Sequence, residues 1–193
     1  MTATMKTTID MTAACCHDID RRVALTRPIV QLLDELAQVI AALGDEQYVQ
    51  MPVGVMPSSI GGHVRHSLDH ARALLASAAT GRIDYDHRVR GTPVETSRSA
   101  ALDAIRGLIA ELRALRPGSI ERSLTLRMMM TTDGKPLELS TTFIREAGYV
   151  LSHTIHHNAI IGVMVKTLGA WLPERFGYAP STIAFQRTTA CAP

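Results

Sequence analysis

The sequence predicts an all-α protein, a four-helix bundle with one small β-hairpin inserted before the last long helix. Apolar residues recur with a period near 3.6 in four separate stretches, and a short stretch before the fourth alternates with a period of two. Glycine and proline residues mark most of the boundaries between these stretches. The 193 residues suffice for one domain, so we expect a flexible segment at 1–17 and a single helical domain at 18–193.

The first helix is predicted over residues 21–43. Asp18 or Asp20 lies near its start, and Gly44 and Asp45 end it. Its apolar positions repeat with helical spacing: Val23, Leu25, Ile29, Leu32, Leu33, Leu36, Val39, Ile40 and Leu43.

The second and third predicted helices each follow a serine. Ser58 or Ser59 caps the second helix, which stops at Gly81, and the third runs from about Ser97 to Leu115. One face of the third helix is apolar: Leu102, Ile105, Leu108, Ile109 and Leu112. The polar stretch between the two helices shows no periodicity, so we expect a loop there.

The hairpin is predicted within residues 120–140, because apolar and polar residues alternate on either side of the Asp-Gly pair at 133–134. Ser140 or Thr141 then caps the fourth helix, which ends at Gly169. The remaining tail is expected to be mostly irregular, since proline and glycine recur through it.

The composition argues against several classes of function. The formal charge of +2 and the 4% aromatic content argue against nucleic-acid binding. No apolar run is long enough to span a bilayer, and the N-terminus has no continuous apolar region typical of a secretory signal, so no membrane association is expected. The three cysteines form no CxxC motif or disulfide framework, which favours a reducing cytoplasm.

Histidine is the residue type that points to chemistry. On the fourth helix His153 and His157 are four residues apart and project from one face, where two imidazoles can share a metal ion. A helical wheel places His157 inside the apolar sector, His153 at its edge and His156 further out. A lone HxxxH pair often results from core packing alone. A second cluster of histidines is therefore needed before the pair indicates a metal site.

The second cluster lies on the second predicted helix, at His63, His66 and His70. Two helices that supply three imidazoles and leave one position open are typical of a reactive metal centre. The wheel places His63 and His70 closer to the apolar direction than His66. Spacing alone therefore favours His63 or His70 as the third ligand.

These two segments resemble the DinB/YfiT superfamily. The similarity lies in SSIGGHVRHSLDH and, well over fifty residues later, YVLSHTIHHNAII, and it covers nearly the whole chain. The family pattern has one histidine, followed three residues later by aspartate, and a later HxxxH pair. The resemblance therefore implies His66, followed by Asp69, together with His153 and His157 as metal ligands.

The resemblance implies a metal-dependent enzyme, a hydrolase or a low-molecular-weight thiol S-transferase. Three imidazole ligands suit a divalent ion such as Zn, Ni or Fe. The resemblance also implies a small-molecule substrate and a homodimer. Relatives that activate oxygen for sulfoxide synthesis carry HxxxHxE, and Ala159 occupies the last position here, so that activity is not implied. The alternative is a non-catalytic, metal-binding or stress-related bundle protein.

The charged loop after the second helix offers candidates for catalytic residues, namely Asp86, His87 and Arg88. A lid of this kind could supply acid–base or anion-binding groups over an open metal position. The alternative interpretation is a solvated charged loop without a function.

Overall fold

The computed structural model describes residues 11–52, 54 and 56–190, and within them the chain is mainly helical. The helices are α1 (Met11–Ala42), α2 (Asp45–Val49), α3 (Ile60–Thr80), α4 (Pro93–Thr96), α5 (Arg98–Ala114), α6 (Phe143–Thr167) and α7 (Pro180–Ala190), with a 3-10 turn at Pro117–Ser119. The strands are β1 (Arg82–Asp84), β2 (Ser123–Met129) and β3 (Pro136–Thr142).

The long helices α1, α3, α5 and α6 form the predicted four-helix bundle. α1 packs against α5 and α6, and α3 packs against the same two helices, so α1 and α3 lie diagonally across the bundle. The core is aliphatic, as the composition requires, and its fully buried members include Leu33, Leu36, Ile40, Ile60, Leu68, Leu74, Ile105 and Leu112. Burial of these faces drives the helices together.

Side-chain caps fix where the bundle helices begin. Ser59 Oγ accepts a hydrogen bond from the Gly62 backbone N–H at 3.1 Å, which caps α3. Gly81 ends α3 in the left-handed conformation, at φ 73°. The histidines of α3 therefore start one turn from a fixed helix end.

The sheet is larger than the sequence predicts. The hairpin of β2 and β3 is present, with Leu126 opposite Leu139, but β1 adds a parallel strand on the other edge of β2. The loop expected at 83–97 thus begins with a strand, whose Ile83 is buried. Three residues are too few to show a period of two, so only tertiary pairing reveals this strand.

Other element boundaries also differ from the prediction. α1 begins at Met11 rather than near Asp18 or Asp20, and residues 11–16 include alanine and methionine, which favour helix. The tail contains α7, where an irregular chain was expected. Residues 1–10 of the predicted flexible segment 1–17 lie outside the described residues, and the domain division remains a prediction.

Among the residues that the structure describes, no helix combines the length and the apolar character that crossing a membrane requires.

Candidate metal centre

The packed faces of α3 and α6 bring five histidines together. α3 supplies His63, His66 and His70, and α6 supplies His153 and His157. Neighbouring rings have centroids between 3.8 Å and 5.4 Å apart, so the cluster is continuous. Both clusters identified in the sequence therefore form one site.

Burial on α6 follows the helical wheel. His157 is buried and His153 is half-buried, whereas His156 is exposed. His156 still has its ring centroid 5.2 Å from that of His157. It lies at the edge of the cluster, so a substitution of His156 can serve as a control for substitutions of the other histidines.

Burial on α3 also follows the spacing of the sequence. His63 and His70 are buried, and His66 is half-buried. Partial exposure does not remove His66 from the site, because its ring contacts those of His70, His153 and His157. The residue that the wheel disfavours is thus central to the cluster.

The imidazoles are held in the neutral form. Burial is the main cause in every case, and it lowers the pKa of His66 to about 3, that of His153 to about 4 and that of His157 to about 2. Burial also lowers the pKa of His63 and of His70. Neutral imidazole is the form that binds metals, so these side chains could bind an ion without first losing a proton.

Two sets of three histidines are candidates for a metal ion. His66, His70 and His153 each place one ring nitrogen so that all three lie within 4.8 Å of one another. His66, His153 and His157 have ring centroids 5.0, 4.6 and 4.5 Å apart. Both sets contain His66 and His153, whose Nε2 atoms are 3.2 Å apart. Two nitrogens on one tetrahedral zinc ion lie about 3.3 Å apart, so this pair fits a shared ion.

His63 is the partner of His157. Their Nδ1 atoms are 3.2 Å apart, and His63 Nε2 is buried without a hydrogen-bond partner. If His157 Nδ1–H donates to His63 Nδ1, then His157 Nε2 carries a lone pair available to a metal. Metal-bound histidines commonly donate their other ring N–H in this way.

Tyr85 and Glu146 support the cluster from the side of His70. The Tyr85 ring stacks on His70 with centroids 4.9 Å apart and 11° between the planes. The Tyr85 hydroxyl donates to Glu146 Oε2 at 2.8 Å, and Glu146 also accepts hydrogen bonds from Thr141 Oγ1 at 2.7 Å and Arg145 Nη1 at 2.9 Å. Burial of this network raises the pKa of Tyr85, so its hydroxyl remains a donor.

The three loop residues proposed as catalytic occupy different positions. Arg88 Nη1 contacts His66 Nδ1 and lies 3.3 Å from His66 Nε2, at the metal centre. Asp86 Oδ2 accepts the Met129 backbone N–H at 2.6 Å, which ties the loop to β2. His87 is exposed. A catalytic role for each of them remains a prediction.

No role could be assigned to Tyr85 or Glu146 from the sequence. Glu146 carried a usable signal, because it lies two helical turns before His153 and therefore on the same, largely apolar face of α6. A carboxylate in that stripe must be paired. Tyr85 gave no comparable signal, since its partner is 61 residues away in the chain.

Comparisons with known proteins agree with the fold. The family model of the DinB superfamily matches residues 29–161, more than half of the chain. The fold is similar to the crystal structure of a DinB-like protein, YjoA, from Bacillus subtilis, with a TM-score of 0.56 and 15% identity, over 81% of this chain and 99% of that chain. At this identity the similarity shows the fold alone.

A sequence relative is FK506-binding protein 5 from Rhizopus delemar, which is 29% identical over 117 residues. The match covers 60% of this chain and 30% of that protein, so the chain spans less than a third of the relative's length.

Proposed function

This chain belongs to the DinB superfamily, and we propose on that premise that it is a metal-dependent enzyme whose divalent ion is held by His66, His153 and His157. The observation that supports the proposal is the packing of imidazoles from α3 and α6 into one cluster, in which the Nε2 atoms of His66 and His153 are 3.2 Å apart. The class of reaction, hydrolysis or S-transfer from a low-molecular-weight thiol, follows from the resemblance. The choice of Zn, Ni or Fe follows from the three imidazole ligands, which suit these ions.

The ring nitrogens of His66, His70 and His153 lie within 4.8 Å of one another, but the spacing of the ring centres favours His157 over His70 as the third ligand. With metal–nitrogen bonds of about 2.1 Å, the ring centres of two ligands at 90–109° lie about 4.5–5.2 Å apart. The separations among His66, His153 and His157 are 5.0, 4.6 and 4.5 Å. His70 and His153 are stacked only 3.8 Å apart, which is too close for two rings that point at one ion.

The neighbouring residues are suited to orient these ligands. His63 would accept the Nδ1–H of His157, which leaves Nε2 of His157 for the ion. His70 donates its Nδ1–H to the His66 carbonyl oxygen at 3.0 Å and packs between Tyr85 and His153. A bound divalent ion supplies Lewis acidity, which lowers the pKa of a water or thiol at an open position.

Metal content of purified variants tests the proposal. We expect the wild-type chain to bind about one equivalent of Zn, Ni or Fe, and His66→Ala, His153→Ala and His157→Ala to lose it. His156→Ala is the matched control, because this exposed histidine lies on the same helix, and it should retain the ion. Unchanged metal content in the first three variants would end the assignment.

The alternative function is a non-catalytic metal-binding or stress-related bundle. The two functions differ in whether the ion keeps a position open to solvent. The half-burial of His66 and His153 favours an accessible ion. Failure of exogenous azide to perturb the visible spectrum of a Co(II)-loaded protein would favour the alternative.

We further propose a small-molecule substrate, a homodimer and a cytoplasmic location, without nucleic-acid or membrane partners. Light scattering tests the assembly, since a dimer has twice the 21.0 kDa mass of one chain.

A further inference from the structure

Arg88 is a cation beside the metal centre without a carboxylate partner. Among the described residues it forms no ion pair with Asp or Glu. Its Nε is buried and has no hydrogen-bond partner. A guanidinium presents five N–H donors in a fork, and leaving them unsatisfied costs free energy.

The carboxylates around the centre are already engaged. Five acidic side chains have partners within 3.2 Å: Asp69 with Arg65 and Arg72, Glu95 with Arg65, Asp84 with Arg127, Glu146 with Arg145, and Asp86 with the Met129 backbone N–H. Four of these carboxylates are paired with arginines and Asp86 accepts a backbone N–H, so none of the five forms an ion pair with Arg88, although this part of the protein is rich in ion pairs.

Within the described part of the chain, the acceptor that Arg88 contacts is His66, and this contact is incompatible with a metal-bound His66. A neutral imidazole carries one proton. When His66 Nε2 binds an ion, its proton must reside on Nδ1, and Nδ1 then no longer accepts from Arg88 Nη1. In the metal-bound protein the guanidinium must turn away from His66 and needs another acceptor.

Space for that acceptor exists next to Arg88. A surface cleft of ≈360 Å³ is lined by Arg88 and Arg72 together with two carboxylates, Asp69 and Asp84. Both carboxylates are already paired with arginines. A guanidinium beside this cleft favours a negatively charged ligand.

We propose that Arg88 binds the oxyanion of a small anionic substrate, a carboxylate or a phosphate, beside the metal position of His66. The proposal rests on the proposed function, since it names the substrate class of that same centre. The planar guanidinium fits either oxyanion through two parallel hydrogen bonds. Arg88 then fixes the orientation of the substrate relative to the ion.

Calorimetric titration of acetate and of inorganic phosphate into the Zn-loaded protein tests the proposal, and comparison of the two anions distinguishes a carboxylate from a phosphate site. We expect Arg88→Gln to weaken the binding of the preferred anion about tenfold or more, and Arg88→Lys to weaken it less, because a charge remains without the fork. Arg90→Gln removes the same charge from an exposed position in the same loop and should bind as the wild type does.

Equal anion affinity in wild type and Arg88→Gln, or no binding of either anion, would overturn the proposal. Zn content is measured for each protein, so loss of the metal site is recognised separately. If the wild type takes up no Zn, the proposed function fails, and thermal denaturation of the metal-free chain still tests Arg88. In the metal-free chain, at constant ionic strength, the preferred anion should raise the Tm of the wild type and of Arg90→Gln. It should not raise the Tm of Arg88→Gln.

Discussion

At the scale of single residues, the histidine cluster depends on groups that are not themselves ligand candidates. Glu146 is fully buried, yet three donors satisfy its carboxylate, and one of them is the hydroxyl of Tyr85. Through Tyr85, this network holds the ring of His70. A buried charge is tolerated only when it is paired in this way, so the network should be sensitive to small changes.

Tyr85→Phe removes one hydroxyl and keeps the ring. We expect the free energy of unfolding to fall by about 1–3 kcal/mol, because Glu146 remains buried with one donor fewer. Urea denaturation measures the change. Tyr178→Phe, at an exposed ring, is the control and should change stability by less than about 0.5 kcal/mol. A Tyr85→Phe variant as stable as the control would show that the hydrogen bond does not support the site.

The placement of His153 and His157 in one cluster could be predicted from sequence, because a four-residue spacing alone places both side chains on one helix face. The third ligand could not be fixed that way. The spacing of apolar residues favours His63 or His70, which are indeed the buried histidines of α3, while the resemblance implies His66. A helical wheel shows which side chains of a helix are buried, but it does not show which of them lie within a site.

At the scale of elements, the start of α3 is packed too tightly to accept a side chain at Gly61. A Cβ at that position would lie 2.8 Å from the Tyr48 ring and would also collide with the backbone of Glu95, in α4. Tyr48 in turn donates its hydroxyl to the Val94 carbonyl at 2.7 Å. The absence of a side chain at Gly61 therefore lets α2 and α4 pack against the helix that carries His63 and His66.

Gly61→Ala should lower the free energy of unfolding by about 1–3 kcal/mol, because backbone and a buried ring must move. Gly107→Ala is the matched control in α5, where a Cβ meets nothing within 4 Å. That change should stabilise the protein by up to about 1 kcal/mol through helix propensity. Chemical denaturation of both variants checks the pair, and equal stabilities would contradict the packing described for Gly61.

The bundle helices and the hairpin follow from periodicity, whereas β1, α4 and α7 do not. α4 has four residues and β1 has three, so neither can display a repeat. β1 is defined by pairing with β2, about 43 residues away in the chain at Arg82 and Thr125. Elements that depend on such distant partners are not visible in a local pattern.

At the scale of the whole molecule, the histidine cluster links stability to pH. In the metal-free protein the pKa values of His66, His153 and His157 are about 3, 4 and 2, all below the ordinary value of 6.5. Between these values and 6.5 the unfolded chain binds more protons than the folded chain. The contribution of these histidines to the free energy of unfolding is therefore complete above pH 6.5, and it is lost as the pH falls towards their pKa values in the folded protein.

We expect the urea midpoint of chelator-treated protein to decrease steadily from pH 7 to pH 5. His157→Gln should flatten this dependence, because one of the shifted groups is gone, and His156→Gln should keep it. A midpoint that stays constant or rises on acidification would contradict burial of neutral imidazoles.

Anomalous diffraction at the absorption edge of the bound metal tests the central claim most directly. We expect one anomalous peak between α3 and α6, within bonding distance of a ring nitrogen of each of His66, His153 and His157. At least one coordination position of this ion should not be filled by the protein. Crystals of metal-supplemented protein that show no peak among these histidines, or an ion enclosed entirely by protein ligands, would contradict it.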